Sequence, residues 1–308
     1  MMKTSFNTFA GFTGKVMPEI EEIVSLLSHA GLDGIEINAE IGQFGPKNRH
    51  AGLNIPDEEI KKTKQICDRY NLEVSSISAH FSLISSDEEE RKRAIREYEK
   101  CIDQATMLET KVVHGYSGSP VKRINNEEEE KLWQIFKEGC LEIMDYAKDK
   151  EIEFVMEAVI THLVHSYEGV KKMFEVINRD DLYLNLDPCH LYMSGPADAP
   201  QKVIDEFGKR IKHVHIHDAV GAGSFKWEGF KEKKEATWEN MRPFGLGEID
   251  WLDIIRRLKN QRFDGFLSFD YGPGLEGYLP GYKYYIEIVA KAYNDFIKEI
   301  ITKVNEQN

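Results

Sequence analysis

The sequence predicts a single (β/α)8 TIM-barrel domain over residues 1–308. Short apolar runs rich in Ile, Val and Phe alternate with longer amphipathic segments, and the chain contains eight of each. No Pro-, Gly- or Ser-rich linker separates these segments, so one domain is expected. An open doubly wound sheet is disfavoured because the connection after the first strand, AGFTGKVMPE, lacks a GxGxxG phosphate-binding loop.

The predicted strands and helices alternate in order along the chain. Apolar runs with β-branched and aromatic residues predict strands at 4–9, 34–38, 72–79, 111–115, 152–157, 182–187, 212–217 and 266–270. Helical spacing of apolar residues predicts helices at 17–29, 57–70, 87–107, 127–149, 167–177, 199–210, 251–259 and 279–302. In the first helix, Ile20, Ile23 and Leu27 share one face, and Gly31 follows where helices commonly end.

Composition and charge exclude several classes of function. Hydrophobic residues make up 41% of the chain and charged residues 30%, which is ordinary for a globular protein with a sizeable core. The formal net charge of −13 repels phosphate backbones, so no nucleic-acid partner is expected. No long apolar run and no signal-peptide pattern occurs, so we expect a cytoplasmic protein with no membrane association.

The cysteine pattern argues against a structural metal knot. The four cysteines, Cys67, Cys101, Cys140 and Cys189, lie far apart and form no CxxC pair. Disulfides are not expected in a reducing compartment, so we interpret all four as buried or neutral thiols.

Acids and histidines stand at the ends of six consecutive predicted strands. They are His80, His114, Glu157, Asp187 with His190 just beyond it, His213, His215 and His217 in HVHIHD, and Asp270. The carboxyl ends of barrel strands converge on one rim, where active sites of this fold lie. Such groups are costly to bury unpaired, and a divalent cation satisfies several together. A carboxylate-rich set with one histidine suits Mn2+, Mg2+ or Co2+, and added histidines favour Zn2+.

Structural interpretations compete with the metal hypothesis at single residues. A lone His80 or His114 could equally be a capping or core group. The set Glu157, Asp187, His215 and Asp270 is harder to explain in that way, because four consecutive strands each end in a ligand type. Glu36 in GIEIN is interpreted as a structural charge in the polar layer of the barrel.

The HVHIHD run places three histidines on one face of a strand. Residues 213, 215 and 217 share that face because side chains alternate along a strand. His215 is favoured as the ligand, since His213 lies deeper in the barrel and His217 lies past the strand end. Both flanking histidines are expected to play structural or supporting roles.

These residues carry a family resemblance. The chain resembles the sugar phosphate isomerase/epimerase superfamily of xylose isomerase-like barrels, which shares its fold with apurinic-site DNA endonucleases. The resemblance covers nearly the whole chain and rests on GLDGIEIN, SAHFSL, VVHGYSG, VMEAV, LDPCHLYMSG, HVHIHDA, RPFGLGEIDW and GFLSFDYG.

The resemblance implies roles for individual residues. Glu157, Asp187, His215 and Asp270 would bind the metal, and the acids Glu157 and Asp270 would also move the proton. His190 and Arg242 would contact substrate, and we add His80 to the substrate-binding set and His114 as an additional catalytic base. One departure is that the family acid after strand eight is usually glutamate, and Asp270 is one methylene shorter. A displacement of about 1 Å can cost on the order of 100-fold in rate, so two-base epimerisation is less secure here.

The function expected from these features is that of a divalent-metal-dependent isomerase or epimerase. It would act on a ketose, a keto-polyol or a related sugar by proton abstraction next to a carbonyl, through a metal-stabilised enediolate. One metal ion is expected, with Mn2+ preferred over Mg2+, Co2+ or Zn2+. The alternative is a metal-dependent lyase or dehydratase on a sugar derivative, including C-glycoside cleavage together with a second subunit.

Two further classes are less favoured. A zinc phosphodiesterase of the apurinic-site endonuclease type would need an Asp-x-His pair shortly before the GxG turn, which in this chain lies in RPFGLGEIDW. The corresponding stretch here reads Glu239, Asn240 and Met241. A non-catalytic sugar-binding barrel would be signalled by loss of Asp187 or Glu157, and both are present. A homo-oligomer is expected by the same resemblance, and segments 39–59 and 221–241 are long enough to act as lids.

Overall fold

The computed structural model is a closed barrel of eight parallel strands, which confirms the predicted fold. It describes residues 2–8, 19–39, 50–118, 126–225, 240–270 and 282–306. The barrel strands are β1 (Lys3–Asn7), β2 (Gly34–Asn38), β3 (Glu73–Ser78), β4 (Val112–Tyr116), β5 (Glu153–Glu157), β6 (Tyr183–Leu186), β7 (Ile211–Ile216) and β10 (Phe266–Phe269). They follow the order β1-β10-β7-β6-β5-β4-β3-β2 around the barrel. A separate antiparallel pair is formed by β8 (Asp218–Ala219) and β9 (Met241–Arg242).

Helices alternate with the strands as predicted. Within the described ranges they are α1 (Ile20–His29), α2 (Asp57–Arg69), α3 (Glu88–Leu108), α4 (Asn126–Asp149), α5 (Tyr167–Ile177), α6 (Pro188–Ser194), α7 (Ala199–Phe207), α8 (Trp251–Asn260) and α9 (Tyr282–Glu306). Most boundaries lie within three residues of those predicted. The short helix α6 and the β8–β9 pair were not predicted, because segments this short carry little periodicity.

The outer side of the barrel sheet is apolar. Strand residues such as Phe6, Ile35 and Phe154 are almost fully buried, and they belong to one core that also includes helix residues such as Leu27 and Ile254. Side chains alternate along each strand, so this apolar face leaves the opposite face to the barrel interior. The core therefore sits between the strands and the helices.

The barrel interior is polar. Side chains of Glu36, His114 and His215, which come from three different strands, contact one another and therefore point inward. Ser268 is in register with His215 on one side and with Ser5 on the other, and both serines are fully buried. TIM-barrel interiors are commonly filled by Val, Ile and Leu, so this composition makes the interior a candidate functional region.

The turn after β9 is organised by one carboxylate. Asp218 accepts backbone N–H groups from Ala219 at 2.9 Å, Gly245 at 3.1 Å and Ile249 at 3.3 Å. Gly245 has φ +82°, and a Cβ on Gly247 would lie 2.1 Å from Asp218 Oδ1. The GxG spacing thus lets the chain wrap closely around this side chain.

Several predictions concern other parts of the chain. All four cysteines are free and buried, as predicted. Among the described helices, none combines the length and apolarity needed to cross a membrane. Residues 40–49 and 226–239 of the two proposed lids lie outside the described residues.

Candidate metal centre

The four predicted metal ligands converge at the carboxyl end of the barrel. One ligand atom from each of Glu157, Asp187, His215 and Asp270 lies within 4.8 Å of those of the others. His215 Nδ1 is 3.2 Å from Glu157 Oε1, 3.3 Å from Asp270 Oδ2 and 3.9 Å from Asp187 Oδ2. Three carboxylates and one imidazole nitrogen therefore face a common point.

The Asp-Pro-Cys-His sequence after β6 closes that strand and begins helix α6. Asp187 is the N-cap residue of α6, and its Oδ1 accepts the backbone N–H of His190 at 3.0 Å. Pro188 occupies the first helical position, where no backbone N–H is needed. The spacing between Asp187 and His190 is thus the spacing of a helix cap. Oδ2 of Asp187 is directed to the site and lies 2.7 Å from His217 Nε2.

The two candidate proton-transfer acids differ in their electrostatics. Burial raises the pKa of Glu157, but the charges of His215, His80 and His114 outweigh it and hold this pKa well below its ordinary value. Burial also raises the pKa of Asp270, His215 offsets only part of that effect, and the net value is about 7. Burial lowers the pKa of His215, yet the nearby carboxylates, Glu157 first, raise it well above its ordinary value. The pKa of Glu157 is thus lowered and that of Asp270 is raised. Such a difference between two neighbouring acids is typical of sites where one acts as a base and the other as an acid.

Beneath this set lies the buried carboxylate of Glu36. Its Oε1 is 2.8 Å from His114 Nε2 and 3.2 Å from His215 Nε2, and its Oε2 is 2.7 Å from His213 Nε2. Burial would raise the pKa of Glu36, but the charges of the three histidines, His215 first, hold it well below its ordinary value. The interpretation of Glu36 as a structural charge missed its contact with a candidate metal ligand. The available signal was an acid within the otherwise apolar strand GIEIN.

His80 and His114 lie on the other side of Glu157. His80 Nε2 is 3.3 Å from His114 Nδ1, and these two atoms are 3.7 and 3.8 Å from Glu157 Oε2. The three side chains form a second group that could hold a metal ion. The side chain of His80 is 12% exposed and that of His114 is fully buried, so His80 is the more accessible to a ligand.

The two residues predicted to contact substrate occupy different places. His190 Nε2 is 3.8 Å from Asp187 Oδ2, and burial lowers the pKa of its imidazole. Arg242 lies in β9, opposite Asp218 in the antiparallel pair, and its Nη1 donates to the carbonyl of Met241 at 2.7 Å. The structure therefore brings His190 to the metal-ligand set and places Arg242 on the adjoining hairpin. Their contacts with substrate stay predictions.

Two aromatic side chains near His80 were missed by the sequence analysis. The ring of Tyr116 lies 4.8 Å from that of His80 and 4.3 Å from that of His162. Burial lowers the pKa of His162 to about 3, so its imidazole is neutral. The alternation of β4, in which Tyr116 follows His114 by two residues, was the signal for Tyr116. His162 lies in a turn, where no periodicity marks it.

The donor set fits a divalent cation. Glu157 Oε2 is buried and has no hydrogen-bond partner among the described residues. A buried oxygen without a hydrogen bond loses the contacts that water would give it, and a metal ion bound to this carboxylate would offset part of that loss. Carboxylate and imidazole donors together suit Mn2+, Co2+ and Zn2+.

The chain belongs to the xylose isomerase-like TIM-barrel family, whose model matches residues 24–288. An inosose dehydratase of Clostridium botulinum (strain Eklund 17B / Type B) is 25% identical over 280 residues, 84% of this chain and 86% of that protein. A probable endonuclease 4 of Campylobacter fetus subsp. fetus (strain 82-40) is 22% identical over 271 residues, 76% of this chain and 94% of that protein. A solved structure of IOLI protein with a bound zinc atom has a TM-score of 0.72 at 19% identity, covering 98% of this chain and 99% of that one.

The comparisons confirm two predictions made from the sequence. The family is the one that the motifs indicated, and the chain is an enzyme. The zinc atom in the similar structure belongs to that protein, and it agrees with the presence of candidate metal-binding groups here.

Proposed function

We propose that the chain is a divalent-metal-dependent enzyme that removes the proton next to the carbonyl of a keto-polyol or ketose. The observation that carries the proposal is the convergence of Glu157, Asp187, His215 and Asp270 at the rim where active sites of this fold lie. The substrate class is supported by the similarity to inosose dehydratase. We propose Mn2+ as the ion, with Mg2+, Co2+ and Zn2+ as alternatives.

A divalent ion held by these side chains would polarise a substrate carbonyl and so acidify the neighbouring C–H bond. Glu157 is the proposed base, because its carboxyl is held ionised and its Oε2 is free of hydrogen bonds from the described residues. A base in this position accepts the carbon-bound proton directly. His80, next to Glu157 Oε2, is positioned to hydrogen-bond a substrate hydroxyl.

Asp270 is the proposed acid. Its side chain is 18% exposed, whereas those of Glu157, Asp187 and His215 are at most 2% exposed. It is therefore the member of the set most open to the mouth of the barrel. From there Asp270 can deliver a proton to a departing hydroxyl group or to a substrate carbon.

Dehydration is the outcome that we favour. Glu157 would take the proton from the carbon next to the carbonyl, the C–O bond of the hydroxyl on the following carbon would break as a C=C bond forms between the two carbons, and Asp270 would protonate that oxygen as it leaves as water. The support is the similarity to inosose dehydratase over 84% of the chain. The product would be an unsaturated ketone, which absorbs in the near ultraviolet.

Epimerisation or isomerisation is the second candidate. Two carboxyl groups from different strands reach the same point, so one could remove the proton and the other return it. Both candidates share the proton abstraction and differ in the second step. Loss of water from the substrate therefore separates them.

The test is incubation of the metal-loaded protein with a panel of inososes and ketoses in D2O, followed by NMR. We expect metal-dependent exchange of the proton next to the carbonyl, with loss of water in the dehydratase case and a stereoisomer in the epimerase case. Glu153→Gln, at the opposite end of β5 from Glu157, is the matched control and should exchange normally. Absence of exchange with every keto-sugar by a metal-loaded protein would overturn the proposal and favour C-glycoside cleavage with a second subunit.

Phosphodiester cleavage is the rival from another class. The similarity to a probable endonuclease and the group formed by His80, His114 and Glu157 favour testing it. The formal net charge of −13 disfavours binding to DNA. We expect no cleavage of abasic-site DNA with Zn2+ or Mn2+ present, and metal-dependent cleavage would replace the sugar proposal.

A further inference from the structure

Glu36 is the centre of a buried group of hydrogen-bond donors. Its Oε1 accepts from Asn7 Nδ2 at 2.8 Å and lies 2.8 Å from His114 Nε2 and 3.2 Å from His215 Nε2. Its Oε2 lies 2.7 Å from His213 Nε2. All five side chains are at most 1% exposed. The donors come from three strands that surround the barrel interior, so this carboxylate links opposite walls.

The chemistry of a carboxylate fixes which nitrogen of each ring carries a proton. An ionised carboxylate only accepts hydrogen bonds, so each imidazole that bonds to Glu36 must present an N–H at Nε2. A proton at Nε2 reserves Nδ1 as the ring atom that can bind a metal. In His215, Nδ1 is the atom that faces Glu157 and Asp270. In His114, Nδ1 faces Glu157 Oε2 at 3.8 Å.

We propose that Glu36 is a positioning residue for the metal centre, which holds His215 and His114 with Nε2–H toward itself and Nδ1 toward Glu157. This inference rests on the proposed metal-dependent function. A carboxylate behind a metal-binding histidine fixes the orientation of the ring and raises its basicity as a ligand. Of the two histidines, His215 belongs to the proposed metal-ligand set, and His114 belongs to the second group with His80 and Glu157.

The contact between Glu36 and His213 helps to distinguish a positioning role of Glu36 from a merely structural role. It contacts the same carboxylate at a similar distance, but it does not belong to any candidate metal-binding group found among the described residues. If Glu36 only satisfied buried donors, all of its partners would matter equally. If Glu36 positions ligands, its contact with His215 matters for metal binding and its contact with His213 does not.

The proposed test uses Glu36→Gln, Glu36→Met and the control His213→Gln. Glu36→Gln keeps the shape of the side chain but loses its charge and one hydrogen-bond acceptor oxygen. Glu36→Met removes both acceptor oxygens and has a similar side-chain volume. Gln at residue 213 retains an amide N–H that can still donate to Glu36. Metal affinity is measured by titration calorimetry with Mn2+ and Zn2+, after thermal melting has shown that each variant folds.

We expect Glu36→Gln to bind metal about 10- to 100-fold more weakly than the wild type, and Glu36→Met more weakly still. His213→Gln should bind metal as the wild type does. A second readout is independent of metal affinity and of turnover. In protein with 15N-labelled histidine, before and after addition of Zn2+, the Nε2–H signals of His114 and His215 should be present in the wild type and lost in Glu36→Met.

The outcomes separate the two proposals. A wild-type protein that binds no metal overturns the proposed function together with the role of Glu36. A wild type that binds metal, with folded Glu36 variants that bind it equally well and keep both Nε2–H signals, overturns only the positioning role. If Glu36→Met does not fold, Glu36→Gln decides between these results.

Discussion

The two sides of the barrel sheet are built from different chemistry. On the outer side, residues such as Ile35 and Phe154 pack against the helices and are almost fully buried. On the inner side, Glu36, His114 and His215 are buried equally well, but as ionisable groups in contact with one another. Apolar burial stabilises a fold at about 25 cal/mol per Å2, whereas burying a charge costs free energy unless it is compensated. The outer side therefore accounts for the stability of the fold, and the proposed metal-dependent function explains the inner side.

The largest effect is expected on the inner side, from Glu157→Gln. This variant removes the proposed base and keeps a side chain of the same size. We expect turnover of the identified keto-sugar to fall by about 100- to 10,000-fold, the usual contribution of a general base. Some metal affinity should remain, because Asp187, His215 and Asp270 are intact. A variant that exchanges the substrate proton at the wild-type rate would contradict the role of Glu157.

On the outer side, Leu27→Ala should lower stability and leave the metal site unchanged. Leu27 in α1 is fully buried, and Leu→Ala changes in cores cost about 2–5 kcal/mol. The inner-side comparison is Ser268→Ala, because Ser268 Oγ is buried without a hydrogen-bond partner among the described residues. Removing an unsatisfied hydroxyl should cost less than about 1 kcal/mol. Denaturant unfolding measures the free energy of unfolding of both variants. Equal losses of stability in Leu27→Ala and Ser268→Ala would contradict the proposed contrast between the two sides of the sheet.

Metal removal is expected to have a smaller effect on stability. A ligand that binds only the folded state stabilises it by about 2.7 kcal/mol at 100 times its Kd. EDTA should therefore lower the melting temperature of the wild type, and added Mn2+ should restore it. The comparison is Asp187→Ala, whose melting temperature should not respond to either reagent. Indifference of the wild type to EDTA would argue against a metal site on the inner side.

The smallest expected effect concerns pH. Burial lowers the pKa of His162 from the ordinary 6.5 to about 3, so between these values the unfolded chain binds a proton that the folded chain does not. Stability from this group is therefore complete above pH 6.5 and is lost as the pH falls toward 3. In metal-free protein, His162→Asn should reduce the slope of unfolding free energy against pH by up to about 1.4 kcal/mol per unit. An unchanged slope would show that His162 is not buried in its neutral form.

The contrast between the outer and inner sides of the barrel sheet also explains how much could be predicted from the sequence. Periodicity is created by the outer apolar face, and it located every barrel strand and the helix that follows most of them. The proposed ligands Glu157, Asp187, His215 and Asp270 were singled out because they interrupt that pattern at strand ends, and the structure brings their ligand atoms within 4.8 Å of one another. The short helix α6 was missed, although Asp187 and Pro188 carry the signature of a helix start.

The contacts that sequence reasoning could not locate join distant segments of the chain. Glu36 precedes His215 by 179 residues, and only the closure of the barrel brings them to 3.2 Å. Tyr116 ends β4 and His162 lies in the turn after β5, and the ring of Tyr116 contacts those of both His80 and His162 because β3, β4 and β5 are neighbours in the barrel. No local pattern encodes such contacts, because they depend on the register around the barrel. A homo-oligomer and a second subunit stay predictions.

The most direct test of the central claim is the metal content of the wild type and Asp187→Ala, measured by mass spectrometry after equilibration with Mn2+. Asp198→Ala is the matched control, because Asp198 is an exposed aspartate that also precedes a helix, α7. The proposed site predicts a bound ion in the wild type and in Asp198→Ala, and none in Asp187→Ala. A folded Asp187→Ala protein that retains the wild-type metal content, or a wild type that binds none, would contradict the assignment of this site.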